Sequence, residues 1–128
     1  MAKVFRRTRW LLIIAAALTL GACATLPPPS IQLDPSLNGY VTIKSIHKSV
    51  SPSGLLQVEV TGKNTSDQPL YMYYQFDWLD KNGQAVPSLL AAKTRVTADR
   101  NRWFTIRGVA PSPAVTDFRL YLDERDKP

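Results

Sequence analysis

Leu70-Tyr71-Met72-Tyr73-Tyr74-Gln75-Phe76-Asp77-Trp78-Leu79-Asp80 is the most strongly patterned stretch of the chain, and its reading decides the fold. Read at period two, Leu70, Met72, Tyr74, Phe76 and Trp78 share one face, and Tyr71, Tyr73, Gln75 and Asp77 share the other. Alternate side chains of a strand point to opposite faces, so this is a central strand with one face on a core. Its aromatic content suits a pleated, half-buried surface.

Working outward, Asp80-Lys81-Asn82-Gly83 follows directly, and its Asn-Gly pair predicts a two-residue hairpin loop with two positive φ angles. A return strand is expected over residues 84–90, weakened by Pro87 and therefore at an edge or a bulge. A single helical turn is expected over 89–93. Upstream, residues 40–50 and 55–63 alternate in the same way: Leu56, Val58 and Val60 fall between Gln57, Glu59 and Thr61. Ser51-Pro52-Ser53-Gly54 and residues 64–69 supply turns. Downstream, residues 102–109 place Trp103, Thr105 and Arg107 opposite Phe104 and Ile106. Residues 115–123 bring Phe118, Leu120 and Leu122 together, and Ala110-Pro111-Ser112-Pro113 breaks the chain between these two strands. No stretch of the region after Tyr40 sustains helical periodicity. Six or seven short strands joined by tight turns predict an all-β domain: an antiparallel β-sandwich of the immunoglobulin-like kind, with a small barrel as the alternative.

The amino terminus carries a different message. Lys3, Arg6, Arg7 and Arg9 precede an uncharged run from Trp10 to Leu20, and Leu20-Gly21-Ala22-Cys23 then closes it with the only cysteine of the chain. This is the layout of a bacterial lipoprotein signal with a lipobox. The apolar run is too short for a spanning helix, which needs roughly 20 residues. Cleavage before Cys23 and diacylation of its thiol are expected, giving a membrane-anchored protein. Ala24 in place of Asp points, by resemblance to other lipoproteins, to the outer membrane, with the domain facing the periplasm. The expected organisation is a signal peptide over 1–22, a lipidated Pro-rich linker over 23–39, a sandwich over 40–124 and a tail over 125–128.

The signal also accounts for most of the charge. The whole chain has 16 basic and 10 acidic residues and a net charge of +6. Four of the basic residues lie before Cys23 and every acidic one after it, leaving 12 against 10, a net +2. Nucleic acid as a partner loses its main support. A lone cysteine also excludes an intramolecular disulfide.

Lys63-Asn64-Thr65-Ser66, then Tyr74-Gln75-Phe76-Asp77-Trp78-Leu79-Asp80-Lys81-Asn82-Gly83, then Gly108-Val109-Ala110-Pro111-Ser112 resembles the YcfL family of small bacterial lipoproteins. The likeness covers about residues 40–123, and its most specific segment is core plus turn. It implies a β-sandwich on a lipid tether and brings no catalytic residues with it.

The chemical inventory predicts a noncatalytic protein without cofactor or metal. His47 is the only histidine, with no carboxylate spacing that completes a zinc site, and Met72 lies in the apolar stripe. There is no Gly-x-Ser-x-Gly and no second imidazole to serve as a base. Two surface features remain. Tyr71 and Tyr73, opposite the core face, form a candidate site for a periplasmic protein partner. Lys93, Arg95, Arg100, Arg102 and Arg107 form a candidate anion site for cell-wall glycan or anionic lipid. The expected function is therefore binding of another envelope protein, with glycan or lipid binding as the alternative.

Overall fold

The computed structural model describes residues 30–89 and 92–124. The expected signal peptide over 1–22, Cys23 and the tail over 125–128 lie outside the described residues. Among the described residues, eight strands form two facing sheets: β1 (Ile31–Leu33), β2 (Val41–Val50), β3 (Leu56–Asn64), β4 (Leu70–Asp80), β5 (Ala85–Val86), β6 (Thr94–Ala98), β7 (Trp103–Val109) and β8 (Val115–Glu124). Sheet A runs β1-β8-β4, with β5 and β6 sharing the far edge of β4, and sheet B runs β2-β3-β7. All pairings are antiparallel except β1 with β8. The all-β sandwich read from the alternating pattern is the fold.

The stretch that decides the fold behaves as its periodicity requires. Met72, Phe76 and Trp78 are buried, and Leu70 and Tyr74 pack against the same core. Phe76 stacks on Trp78 with ring centroids 4.9 Å apart and planes within 7°, and it meets Phe118 at 5.9 Å. Sheet B supplies Val58, Val60, Phe104 and Ile106. Two glycines admit these rings. A Cβ at Gly62 would lie 2.5 Å from Phe104 Cζ, and one at Gly108 would lie 2.6 Å from Phe76 Cε2.

Four details depart from the expectations. First, the linker expected over 23–39 ends earlier, because residues from Ser30 onward belong to the sandwich. Ile31 is buried as β1 pairs with β8, and Leu37 is fully buried after a 3-10 turn, Pro35–Leu37. Pro35, which reads as tether composition, occupies the start of that turn, and Asp34 caps it by accepting from the Ser36 backbone N–H at 2.9 Å. Second, only Gly83 has positive φ in the β4–β5 loop, so the predicted pair of positive angles is not found. Asp80 Oδ1 accepts from the N–H groups of Asn82 and Gln84 at 2.8 and 3.0 Å, which favours a three-residue loop with its left-handed position at Gly83. Third, the return strand shrinks to Ala85–Val86, consistent with Pro87, while the helical turn expected over 89–93 falls partly outside the described residues. Fourth, residues 94–98 form β6, whose inward set is only Val96 and Ala98, too weak an alternation to stand out.

The two ends of the sandwich differ. The turns at 51–54, 81–84 and 110–114 gather at one end, and those at 65–69 and 99–102 at the other. Because β1 runs parallel to β8, it enters its sheet from the side of the first of these ends.

Candidate binding surfaces

The two outward faces follow from register, since residues paired across an antiparallel ladder point the same way. On sheet A, Tyr73 lies between Arg95 of β6 and Asp123 of β8, and Tyr71 is paired with Thr97. The next row joins Gln75, Tyr121 and Gln32, and the next pairs Asp77 with Arg119. Tyr71 is 54% exposed, and Tyr73 and Tyr121 are half-buried. The face is thus a group of three tyrosines edged by charge, and Lys93 Nζ to Asp123 Oδ2 at 3.0 Å closes one side of it. Tyr121 belongs to this group but escapes a sequence reading that treats strands singly; the β4–β8 register alone brings it beside Tyr73.

The five basic residues do not gather in one patch. Arg95 stands on sheet A with Lys93 just before its strand, Arg107 stands on sheet B, and Arg100 and Arg102 lie in the turn between β6 and β7. Lys93 is paired with Asp123, and Arg107 Nε donates to Glu59 Oε2 at 2.7 Å.

On sheet B, rows of three residues run across β2, β3 and β7: Thr42, Lys63 and Trp103; Ser45, Thr61 and Thr105; His47, Glu59 and Arg107; Ser49, Gln57 and Val109. Trp103 is 57% exposed, with Lys44 Nζ and Lys63 Nζ 5.7 and 5.8 Å from its ring centroid. Its own strand gives Trp103 only as an outward-facing residue, because its lysine neighbours come from other strands.

Both faces are anchored by Asn64, the single buried polar residue of the described core. Its Nδ2 donates to the carbonyls of Gln68, Ala98 and Asp99 at 2.7, 3.1 and 3.1 Å, and its Oδ1 accepts from Ser66 N and Oγ at 2.9 and 2.7 Å. One amide therefore ties the turn before β4 to the turn before β7. Beside it an open polar cleft of about 280 Å³ is lined by Ser36, Tyr40, Ser66, Asp67, Gln68 and Glu124. Nearby, the two hydrogen bonds from Ser36 hold the exposed Asp34 carboxyl below its usual range. Among the described residues, no group of three or more His, Cys, Asp or Glu is placed to hold a metal ion, and His47 stands exposed beside Glu59.

With the fold and faces in place, comparison with protein families gives a match over residues 30–124 to the model described as a protein of unknown function, DUF1425. The chain belongs to the DUF1425 family. Its boundary at residue 30 coincides with the start of β1, not with the expected domain start at 40. The DUF1425 chain is similar in fold to the crystal structure of Campylobacter jejuni cj0090, with a TM-score of 0.66, 23% identity, and coverage of 77% of this chain and all of that one. It is similar also to the crystal structure of a DUF1425 member from Shewanella sp. pv-4, with a TM-score of 0.62, 18% identity, and coverage of 69% and 81%. No curated protein matches it.

Proposed function

We propose that this DUF1425 protein is a noncatalytic envelope lipoprotein of the YcfL kind, acylated at Cys23 and held at the outer membrane facing the periplasm. Its sandwich binds another envelope protein through the outer face of sheet A. The observation that carries the binding half is the arrangement of Tyr71, Tyr73 and Tyr121 on one sheet face, with Arg95 and Asp123 flanking Tyr73 in the same row. Exposed aromatic residues with a charged surround match the composition of protein interfaces, where tyrosine is enriched and charge is pushed to the rim. The five-residue basic cluster supports the alternative less well, since two of its members are paired and the five divide between two sheets and a turn.

Photo-crosslinking in whole cells from positions 71 and 73 tests this reading. A discrete crosslinked envelope protein is expected at both positions, and a blank at both overturns it. Mass spectrometry of the purified protein tests the anchor. A diacylglycerol on Cys23 after loss of residues 1–22 is expected, and a free thiol on an uncleaved chain is the opposite result.

A further inference from the structure

We infer that the outer face of sheet B is a second binding platform, for an acidic glycan: a chain of pyranose units bearing carboxylates, seated on Trp103. The argument begins with Lys44. The β2–β3 register shifts between Ile43 and Ser45, so β2 carries one residue more than β3 at that point. This bulge lets Lys44 reach the Trp103 ring while Ser45 still pairs with Thr61 and Ile46 returns to the core. Bulges re-aim side chains in this way. Lys63 reaches the same ring from β3, where it is paired directly with Trp103. A ligand resting on this indole is therefore within reach of two ammonium groups.

Those ammonium groups lie against the indole ring and carry no ion pair among the described residues. Three other described cations have a carboxylate partner: Lys48 with Asp117, Lys93 with Asp123 and Arg107 with Glu59. Neither Lys44 nor Lys63 has a carboxylate within 4 Å among the described residues. An exposed aromatic face with its negative quadrupole accepts the C–H face of a sugar ring, and the flanking cations call for an anion on the same ligand. The adjoining row of Ser45, Thr61 and Thr105 lays three hydroxyls, each both donor and acceptor, along the path of a chain crossing the strands.

Other anionic partners fit less well. A phosphodiester strand would carry one charge per nucleotide past the Glu59 carboxylate, which stands on the same face beyond the row of hydroxyls. A lipid surface would have to meet the end of the sandwich opposite to the one from which β1 enters, because Trp103 and Lys63 lie at the 99–102 end.

The test is calorimetric titration of the full chain, in detergent, with tetragalacturonic acid, neutral cellotetraose, an oligo(dT) strand and anionic vesicles. Trp103→Ala is expected to weaken binding of the acidic tetrasaccharide at least about tenfold. The double variant K44Q/K63Q is expected to weaken it about fivefold, a difference that vanishes near about 0.5 M salt. Cellotetraose should bind about tenfold more weakly than its acidic counterpart. The double variant Y71A/Y73A, on the opposite face, should leave the affinity unchanged, which separates this platform from the protein-binding reading. Thermal melting within a degree or two of wild type for Trp103→Ala confirms that the fold is intact, as expected for an exposed side chain. The inference is overturned by no binding of the acidic tetrasaccharide, by binding indifferent to Trp103→Ala, or by tighter binding of oligo(dT) or vesicles through the same residues.

Discussion

Replacing Asn64 by Asp changes one NH₂ group into an oxygen, and the structure makes that a severe substitution. The retained oxygen still accepts from Ser66 N and Oγ, but the new one faces the carbonyl oxygens of Gln68, Ala98 and Asp99 at 2.7 to 3.1 Å with nothing to donate. The residue is fully buried. Leaving a buried acceptor unpaired costs about 1–3 kcal/mol, and an uncompensated buried charge adds to it, so a loss of about 3 kcal/mol is expected at neutral pH. For a domain of this size that lowers Tm by about 12–24 °C. The sign of the pH dependence follows from the environment. Burial and the ring of carbonyls raise the carboxyl of the folded variant above its unfolded value of ~3.9. The folded state then binds the proton more tightly, so the variant is most stable below the unfolded pKa and loses stability as pH rises through the folded one. Urea unfolding followed by tryptophan fluorescence near pH 4 and pH 8 reads the gap from wild type, which should widen with pH. Asn64→Ala, with no titrating group, should show a gap that does not move. A loss under about 1 kcal/mol, or one equal at both pH values, would refute the assignment of Asn64 as the tie between the two turns.

Other expectations follow from single contacts. Gly108→Ala should destabilise by about 1–3 kcal/mol and weaken the near-UV circular dichroism of the Phe76–Trp78 stack, because its Cβ would lie 2.6 Å from Phe76 Cε2. Lys48 occupies an inward-alternating position on the edge strand β2 and turns out to Asp117 at 3.4 Å, so Lys48→Val should change unfolding free energy by less than about 1 kcal/mol yet promote self-association, read by analytical ultracentrifugation. The Ser36 amide resonance should titrate with a midpoint below 3.8, reporting the lowered Asp34 carboxyl, and Asp34→Asn should abolish that titration. The stability Asp34 adds to its turn is thus present above the usual carboxylate range and lost as pH falls through its depressed pKa.

Why some of this was legible in the chain and some was not has a physical basis. Period two is a local property, so the faces of β3, β4 and β7 follow from their own residues: Val58 and Val60, Phe76 and Trp78, Phe104 and Ile106 all point inward as their alternation requires. Register is not local. The partnership of Tyr121 with Gln75, the approach of Lys44 to Trp103 across a bulge, and the reach of Asn64 to Ala98 are set by which strands meet, and no single segment encodes them. Short elements with few buried residues also escape. The segment before Tyr40 reads as linker because Pro35 and polar residues dominate it, yet Ile31 and Leu37 are enough to seat it in the core.

That last point alters the geometry of the proposed anchor. If β1 begins at Ile31 and the lipid sits on Cys23, only residues 24–29 and Ser30 bridge the two, and at ~3.6 Å per residue they reach at most about 25 Å. A linker extending to residue 39 would have reached twice as far. Ser30 meets sheet A beside Leu120, which is level with Phe76, and β1 starts there from the side of the turns at 81–84 and 110–114. Tyr71 lies five positions along β4 in the opposite direction, roughly 17 Å farther from that start, and Trp103 starts β7 at the same distant end. On the proposed reading, a short leash therefore holds the sandwich close to the bilayer while both faces extend away from it. Inserting ten flexible residues after Pro29 should leave the fold and the solution affinities unchanged. It should also shift which envelope proteins crosslink to positions 71 and 73, since only the distance from the membrane has changed.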